Sequence, residues 1–135
     1  MGVACGTGLQ EYYINPEMMS PAWWDILADG IRWVRENGET LRDVHWVGGA
    51  PAEGQLYGYA AWRPAKSIIA LRNPSAQPQR WTIDWRTALE LPAGARKPTP
   101  KHCRYASSGR TLEALLATPG EVVLEPFETL VLELE

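Results

Sequence analysis

The sequence predicts a mainly β protein, an antiparallel two-sheet β-sandwich with one N-terminal amphipathic helix before it. Three observations lead to this prediction. Apolar residues recur with helical spacing between Ser20 and Asn37. From Leu41 onward, short apolar or aromatic segments follow one another, separated by turn residues about every eight to twelve positions. Several of these segments alternate apolar and polar residues, as half-buried antiparallel strands do.

The predicted helix has signals at both ends. Ser20 suits the N-cap, Pro21 suits the first helical position, and Asn37-Gly38 is typical of a C-terminal stop. Gly30 lies in the middle of the apolar half, where it costs about 1 kcal/mol relative to alanine. We therefore expect another backbone to pack closely against it. The apolar half of the helix comprises Trp23, Trp24, Ile26, Leu27, Gly30, Ile31, Trp33 and Val34.

The strand candidates differ in how clearly they alternate. In residues 80–86, RWTIDWR, strict alternation places Trp81, Ile83 and Trp85 on one face. In the last candidate, alternation places the leucines inward and Glu133 outward, toward solvent. The strand candidates are residues 41–47, 55–62, 66–72, 80–86, 102–106, 111–117, 121–125 and 128–134.

Composition argues against several classes of function. The chain has 135 residues, enough for one domain with its own core, and a net charge of −3. Because Lys and Arg are not in excess, we expect no nucleic-acid partner. No apolar run approaches the roughly 20 residues that a membrane-spanning helix needs, so we expect no membrane partner. Cys5 and Cys103 lie near opposite ends of the chain, which argues against a disulfide framework.

Groups suited to catalysis are sparse. His45 has only Asp43 and a distant cysteine as co-ligands, so we expect no metal site and no cofactor, and a structural role for His45 at the edge of a sheet. Glu11, Glu17, Asp25 and Asp29 could supply a pair of carboxylates of the kind that glycosidases use. Asp25 and Asp29, however, lie on the polar half of the predicted helix, where solvation alone explains them. We therefore expect no complete active site within these residues.

The tryptophans are the other candidates for function. An exposed indole ring can stack on the C–H face of a sugar, so a tryptophan-rich β-sandwich can be a carbohydrate-binding module. The competing interpretation is that Trp46, Trp62, Trp81 and Trp85 fill the core between two sheets. Ile83 shares a face with Trp81 and Trp85, which favours the core. Trp46 and Trp62 are the candidates for contact with carbohydrate.

Several motifs together resemble the C-terminal region of large microbial glycoside hydrolases, in the clan of (β/α)8-barrel enzymes that includes the α-galactosidases. The resemblance covers nearly the whole chain and is weakest between Leu91 and Thr118. Its most distinctive part is the HW-GG-P segment with the downstream LRNP. The motifs are GTGLQEYYINPEMM, WD-I-LA-GI-RWVREN, LRDVHWVGGAP, YGYAAW, K-SIIALRNPS and LEPFETLVLELE.

The resemblance implies a division of the chain near residue 40. Residues 1–40 would be the last strand end and the last helix of a catalytic barrel, and residues 41–135 would be the C-terminal β-sandwich domain. The catalytic aspartates of the family match no position here, so the resemblance implies an accessory domain that is inert alone and buttresses the barrel. Gln10 and Glu11 would lie on the barrel face that binds substrate.

Other interpretations remain open alongside the accessory domain. One is an independent carbohydrate-binding module that uses its exposed tryptophans, and another is a small enzyme with Glu11 and His45 in one pocket. The implied partner is the catalytic barrel of the parent chain. The apolar half of the helix is wider than a small sandwich needs, so we also expect that two copies can pair through residues 1–37 as a homodimer.

Overall fold

A computed structural model describes residues 4–6, 8, 11–116 and 120–135. These residues form a mainly β structure with seven strands in two antiparallel sheets, as the sequence predicts. The larger sheet has the order β1-β2-β3-β7-β5, and β4 pairs with β6 in the smaller one. The strands are β1 (Val44–Gly48), β2 (Tyr57–Arg63), β3 (Lys66–Arg72), β4 (Gln79–Thr82), β5 (Pro100–Ala106), β6 (Glu121–Leu124) and β7 (Thr129–Leu134).

The predicted N-terminal helix is present as α1 (Pro21–Glu36). Ser20 caps it, because the hydroxyl oxygen accepts a hydrogen bond from the backbone N–H of Trp23 at 3.3 Å. The described residues also contain helical turns that the sequence analysis does not predict. They are α2 (Gly38–Leu41), α3 (Trp85–Ala88) and α4 (Leu112–Leu115).

The three layers of the molecule are α1, the five-stranded sheet and the two-stranded sheet. The central strand β3 is buried on both faces: Ile69 and Leu71 contact the core between the sheets, while Ile68 and Ala70 belong to the core beneath α1. A strand that is buried on both faces has a continuous run of apolar residues in its sequence, and this explains why SIIAL does not alternate. The β7 residues that face the core between the sheets are Leu130, Leu132 and Leu134.

Trp33 attaches α1 to the large sheet. Its ring is buried together with Ile68 and Val131. Its Nε1–H donates a hydrogen bond to Glu133 Oε1 at 2.6 Å, and Lys66 Nζ lies 3.0 Å from the other oxygen of that carboxylate. The prediction that Glu133 points into solvent is therefore wrong, because α1 covers this face of β7.

Two motifs of the resemblance have structural explanations. Asn73, in LRNP, is fully buried just after β3, and its Nδ2 donates to the carbonyl oxygens of Leu124 and Glu125 at 3.2 and 2.9 Å. This side chain therefore joins the end of β3 to the end of β6. Gly48, in HW-GG, has a φ of 86°, and a Cβ atom there would lie 2.5 Å from the carbonyl oxygen of Leu56. Only glycine fits this close approach of two backbones.

The alternating segment 80–86 is a strand only as far as Thr82. Asp84 accepts a hydrogen bond from the backbone N–H of Arg86 at 3.1 Å and begins α3, so a helical turn replaces the second half of the predicted strand. Trp85 is nevertheless buried, with 6% of its surface exposed. The apolar pattern predicts its burial correctly and its backbone conformation wrongly.

The predicted strand 111–117 is also wrong, because the single turn of α4 occupies most of it. Thr111 begins this turn, since its hydroxyl oxygen accepts a hydrogen bond from the backbone N–H of Ala114 at 3.4 Å. Threonine suits both a strand and an N-cap, so its local preference is ambiguous. Residue 117 lies outside the described residues.

Gly30 lacks the close neighbour that its position in the sequence predicts. A Cβ atom built on Gly30 would meet nothing within 4 Å among the described residues. Nearby, Trp23 and Trp24 are 57% and 43% exposed, and we call these two side chains the outer face of α1, whereas Ile26, 67% exposed, lines a cleft between α1 and the sheet. One side of the helix is therefore packed on the sheet, while the outer face meets solvent.

Candidate functional site

The structure places three of the four site residues that the sequence suggests. Glu11 is exposed and accepts a hydrogen bond from the hydroxyl of Tyr13 at 3.1 Å. Trp46 is exposed on β1, whereas Trp62 on β2 is half-buried and packs against the core between the sheets. Gln10 lies outside the described residues.

Trp46 forms an aromatic surface with two tyrosines of the neighbouring strand. Its ring stacks on Tyr57 with a centroid distance of 5.0 Å and an interplanar angle of 10°. It meets Tyr59 edge-on, at 5.4 Å and 83°. Because Trp46 is 47% exposed, it does not belong to the core between the sheets.

A groove opens where the unpaired edge of β1 faces β4 and α3, and we call it the edge groove. Its volume is about 360 Å³. Trp46, Val47 and Gly48 of β1 form part of one wall. Glu11 is not among the described residues that line it, so the groove does not combine Glu11 with His45. The polar and aromatic side chains that line it are His45, Trp81, Thr82, Asp84, Thr87 and Glu90.

One side-chain contact joins the two walls of the edge groove directly. His45 Nε2 lies 2.8 Å from the carbonyl oxygen of Ala88, which can only accept, so Nε2 carries the hydrogen. Outside the groove, Gln79, at the start of β4, accepts a hydrogen bond from the backbone N–H of Leu56 at 2.8 Å and donates to the carbonyl oxygen of Gly54. These bonds attach β4 to the segment between β1 and β2, to which strand pairing does not join it.

Two carboxylates face the edge groove. Asp84 accepts hydrogen bonds from the hydroxyl of Thr87 at 2.6 Å and from the backbone of Arg86 at 3.1 Å, and these bonds lower the pKa of Asp84. Glu90 has a φ of 49°, and its Oε2 lies 3.8 Å from Nδ1 of His45. Neither Asp84 nor Glu90 is predicted from the sequence as a site residue, although DWRT carries a helix-capping signal at Asp84.

A second cleft, of about 480 Å³, lies between α1 and the large sheet. Its lining carries both signs of charge, with Arg104 paired to Asp29 and Lys66 paired to Glu133. Burial by itself would raise the pKa of Glu133, but hydrogen bonds from Trp33 and Lys66 outweigh it, so this pKa is lowered. These pairs hold α1 on the sheet, and we assign the cleft a structural role.

Metal-binding and membrane-spanning features are not found in the part of the chain that the structure describes. No group of three or more His, Cys, Asp or Glu side chains there is placed to hold a metal ion. No helix in the same residues is both long and apolar enough to cross a membrane. Cys5 is exposed, whereas Cys103 is half-buried and its pKa is raised, chiefly by burial.

Comparison with known proteins gives matches in fold only. No protein-family model matches the sequence, and no curated protein matches it. The trehalulose synthase MutB from Pseudomonas mesoacidophila MX-45 matches with a TM-score of 0.51 and 16% identity, over 84% of this chain and 18% of that chain. A mutant of MutB in complex with the substrate sucrose gives the same values.

The isomaltulose synthase of Erwinia rhapontici NX5 matches with a TM-score of 0.49 and 13% identity, over 76% of this chain and 16% of that chain, and no argument rests on it. At 16% identity, the likeness to MutB shows a shared fold. The chain spans 18% of the length of that structure. The fold of this chain therefore also occurs as one part of a larger, sugar-converting enzyme.

Proposed function

We propose that this chain is the C-terminal accessory domain of a glycoside hydrolase and packs, through the outer face of α1, on the catalytic barrel of the same polypeptide. In this role residues 1–40 complete the barrel and residues 41–135 buttress it. The domain contributes stability and has no catalytic activity alone. The α-galactosidase-like clan is part of the proposal on the strength of the sequence motifs.

The outer face of α1 is the observation that carries the proposal. Each large apolar side chain left in water forgoes about 1.5–3 kcal/mol of burial. Contiguous apolar patches of this kind are rarely left uncovered on soluble monomers. Just before the helix, Tyr13 and Met18 are also 95% and 73% exposed. A barrel that includes α1 as its last helix would cover this surface.

The likeness to MutB supports the same proposal. This chain matches 18% of the MutB chain, which is the proportion expected of one domain in a larger enzyme. One MutB structure contains sucrose as its substrate, which is consistent with a parent that acts on glycosidic bonds.

Genomic DNA immediately upstream of the Met1 codon gives the most direct test. We expect an open reading frame that continues upstream, in frame, into a region that encodes a (β/α)8 barrel. Within that longer protein, Trp23→Gln combined with Trp24→Gln should lower the midpoint of thermal unfolding, because polar amides would replace indole rings at a buried interface. An in-frame stop codon directly upstream, with no barrel encoded, would contradict the proposal.

A second copy of the chain is the competing partner for the outer face of α1. A two-fold axis would let each copy cover the helix of the other, because a self-complementary patch needs no further surface. Sedimentation of the 135-residue chain at high micromolar concentration separates the cases. A dimer that Trp23→Gln with Trp24→Gln dissociates would support pairing through residues 1–37, whereas a monomer would exclude it.

An independent carbohydrate-binding module is the second candidate function. The specific observation in its favour is the exposed, stacked pair formed by Trp46 and Tyr57. Trp62, the other candidate, is half-buried against the core and offers less of its ring to a ligand. A Trp46→Ala variant that folds normally but loses affinity for an oligosaccharide would support this function.

A further inference from the structure

We propose that the edge groove is a binding site for a short neutral oligosaccharide, with a sugar ring against Trp81 and its hydroxyl groups hydrogen-bonded to Asp84 and Glu90. This inference rests on the second candidate function, carbohydrate binding, and assigns that function to a particular site. It does not depend on the outer face of α1. Experiments can therefore support or contradict sugar binding in the groove independently of docking on a barrel.

The shape of the edge groove suits a small ligand. Its volume of about 360 Å³ lies at the lower end of the range of about 300–1,000 Å³ that is typical of small-molecule sites. The contact of His45 with Ala88 joins the walls directly, and the two hydrogen bonds of Gln79 attach β4 to the segment just before β2. Because the walls are held before a ligand arrives, binding loses less conformational entropy than it would in a mobile loop.

Trp81 supplies the apolar part of the site. It is half-buried, packs against the core between the sheets and lines the groove. The face of an indole ring carries partial negative charge, and the C–H groups of a pyranose carry partial positive charge. A sugar ring therefore stacks favourably on this surface. Thr82 and Thr87 line the same groove, and the Thr87 hydroxyl, which donates to Asp84, keeps its acceptor lone pairs.

Asp84 and Glu90 supply hydrogen-bond acceptors. Asp84 accepts hydrogen bonds from the Thr87 hydroxyl and from the backbone of Arg86 and Thr87, and a carboxylate has about four acceptor sites, so one is left for a ligand. The carboxylate of Glu90 lies 3.8 Å from Nδ1 of His45. Sugar hydroxyl groups donate to such acceptors, and hydrogen bonds to a carboxylate are about twice as strong as neutral ones.

The acidic side chains of the groove favour an uncharged ligand over an anion. None of the described residues that line it is lysine or arginine, while Asp84 and Glu90 are acidic. A phosphate or another anion would be repelled by the two carboxylates. In the described part of the chain no three metal-ligating side chains converge, which disfavours a bound cation. A polyol without charge matches these groups.

Glu90 occupies a position that favours glycine. Its φ is 49°, and its backbone N–H and that of Leu91 bond back to the carbonyl oxygens of Thr87 and Arg86 at 3.1 and 3.0 Å, which ends α3. Glycine is the usual residue at such a helix end because it has no Cβ. Strained positions of this kind occur preferentially at functional sites. Glu90→Gly therefore removes the carboxylate and, at the same time, the backbone strain of a non-glycine residue at positive φ.

Titration of the ¹⁵N-labelled chain with maltotriose and with sucrose, followed by NMR, tests the proposal. We expect shifts in the indole N–H of Trp81 and in the backbone of β1, β4 and α3. Glu90→Gly should raise the Kd about tenfold, the equivalent of one charge-assisted hydrogen bond, without lowering the thermal midpoint. Phe127→Gly is the matched control, because Phe127 has a φ of 59° and does not line the groove.

Tyr57→Ala distinguishes the groove from the surface formed with Trp46. Tyr57 does not line the groove and touches it only through Trp46, which forms part of one wall, so its loss should raise the Kd less than Glu90→Gly does. Three results would overturn the proposal: no shifts with either sugar at millimolar concentration, unchanged affinity in Glu90→Gly, or shifts confined to Tyr57 and Tyr59. None of these results bears on whether a barrel is encoded upstream.

Discussion

Glu128 shows how a single buried charge organises the C-terminal part of the structure. Only 2% of its surface is exposed. The carboxylate accepts hydrogen bonds from the Ser108 hydroxyl, from the Arg110 guanidinium and, at 2.7 Å, from the backbone N–H of Glu125. Arg110 also donates to the carbonyl oxygen of Val123 at 2.6 Å. The turn between β6 and β7 is thereby fixed to the segment that follows β5.

We predict that Glu128→Gln destabilises the fold by about 2–4 kcal/mol, because the change leaves Arg110 without its charged partner. Burial alone would raise the pKa of Glu128, but the bonds from Ser108, Arg110 and the Glu125 backbone lower it below the ordinary value. The stabilisation is therefore fully present above the ordinary glutamate pKa and is lost as pH falls through the lower pKa of the folded protein.

Urea unfolding at several pH values measures both parts of this prediction. The variant should be less stable than the wild type near neutrality, and the difference between them should shrink in acid. Glu125→Gln is the control, since Glu125 is exposed and contributes only its backbone N–H to the network. Equal stability of Glu128→Gln and the wild type at neutral pH would show that the network is not stabilising.

Single residues are predictable from sequence where their role is local. Ser20 is identified as an N-cap because the signal lies within one helical turn. Glu133 is assigned to the wrong environment, because its partner Trp33 is 100 residues away in the chain. Alternation indicates which face of a strand a residue occupies, and it cannot show that a helix covers that face.

Elements with strong end signals are predicted better than elements with competing signals. α1 begins and ends at its capping residues. In the segment 80–86, alternation favours a strand throughout, whereas Asp84 favours a helix start, and the cap determines the backbone after Thr82. The pairing of β3 with β7 joins segments far apart in sequence, so local patterns do not reveal it.

Gly30→Ala should stabilise the isolated chain by about 1 kcal/mol, since alanine favours a helix interior and the added Cβ meets no described atom within 4 Å. Thermal and urea unfolding measure the change. Gly58→Ala in β2 is the contrasting variant, because its Cβ would collide with the carbonyl oxygen of Ala70 and should destabilise the sheet. A destabilising Gly30→Ala would mean that a neighbour packs on this side of α1 in solution.

At the scale of the whole molecule, we predict that the chain alone does not hydrolyse glycosides. The described residues of the edge groove offer two carboxylates, but both lie on α3 or directly beside it and face the same opening. Glycosidases place their two carboxyl groups on either side of the bond that is cleaved. Turnover of an aryl α-galactoside that is abolished by one carboxylate substitution would contradict this prediction.

The fold class follows from the sequence, whereas the candidate site does not. Strand spacing and turn residues predict a mainly β structure without knowledge of how the strands pair. The edge groove is assembled from β1, β4 and α3, which are separated in the chain and belong to different sheets. His45 and Trp81 are prominent in the sequence for other reasons, and only tertiary structure shows that they line one groove.

The place of β7 inside the large sheet, between β3 and β5, has a consequence for synthesis on the ribosome. Among the strands, β1, β2 and β3 emerge first, and Ile69 and Leu71 of β3 then lack their cross-strand neighbours Leu132 and Leu130 of β7. Unpaired, apolar strand edges promote aggregation. The nascent chain therefore exposes these apolar residues and the edge of β3 until β7 has been synthesised.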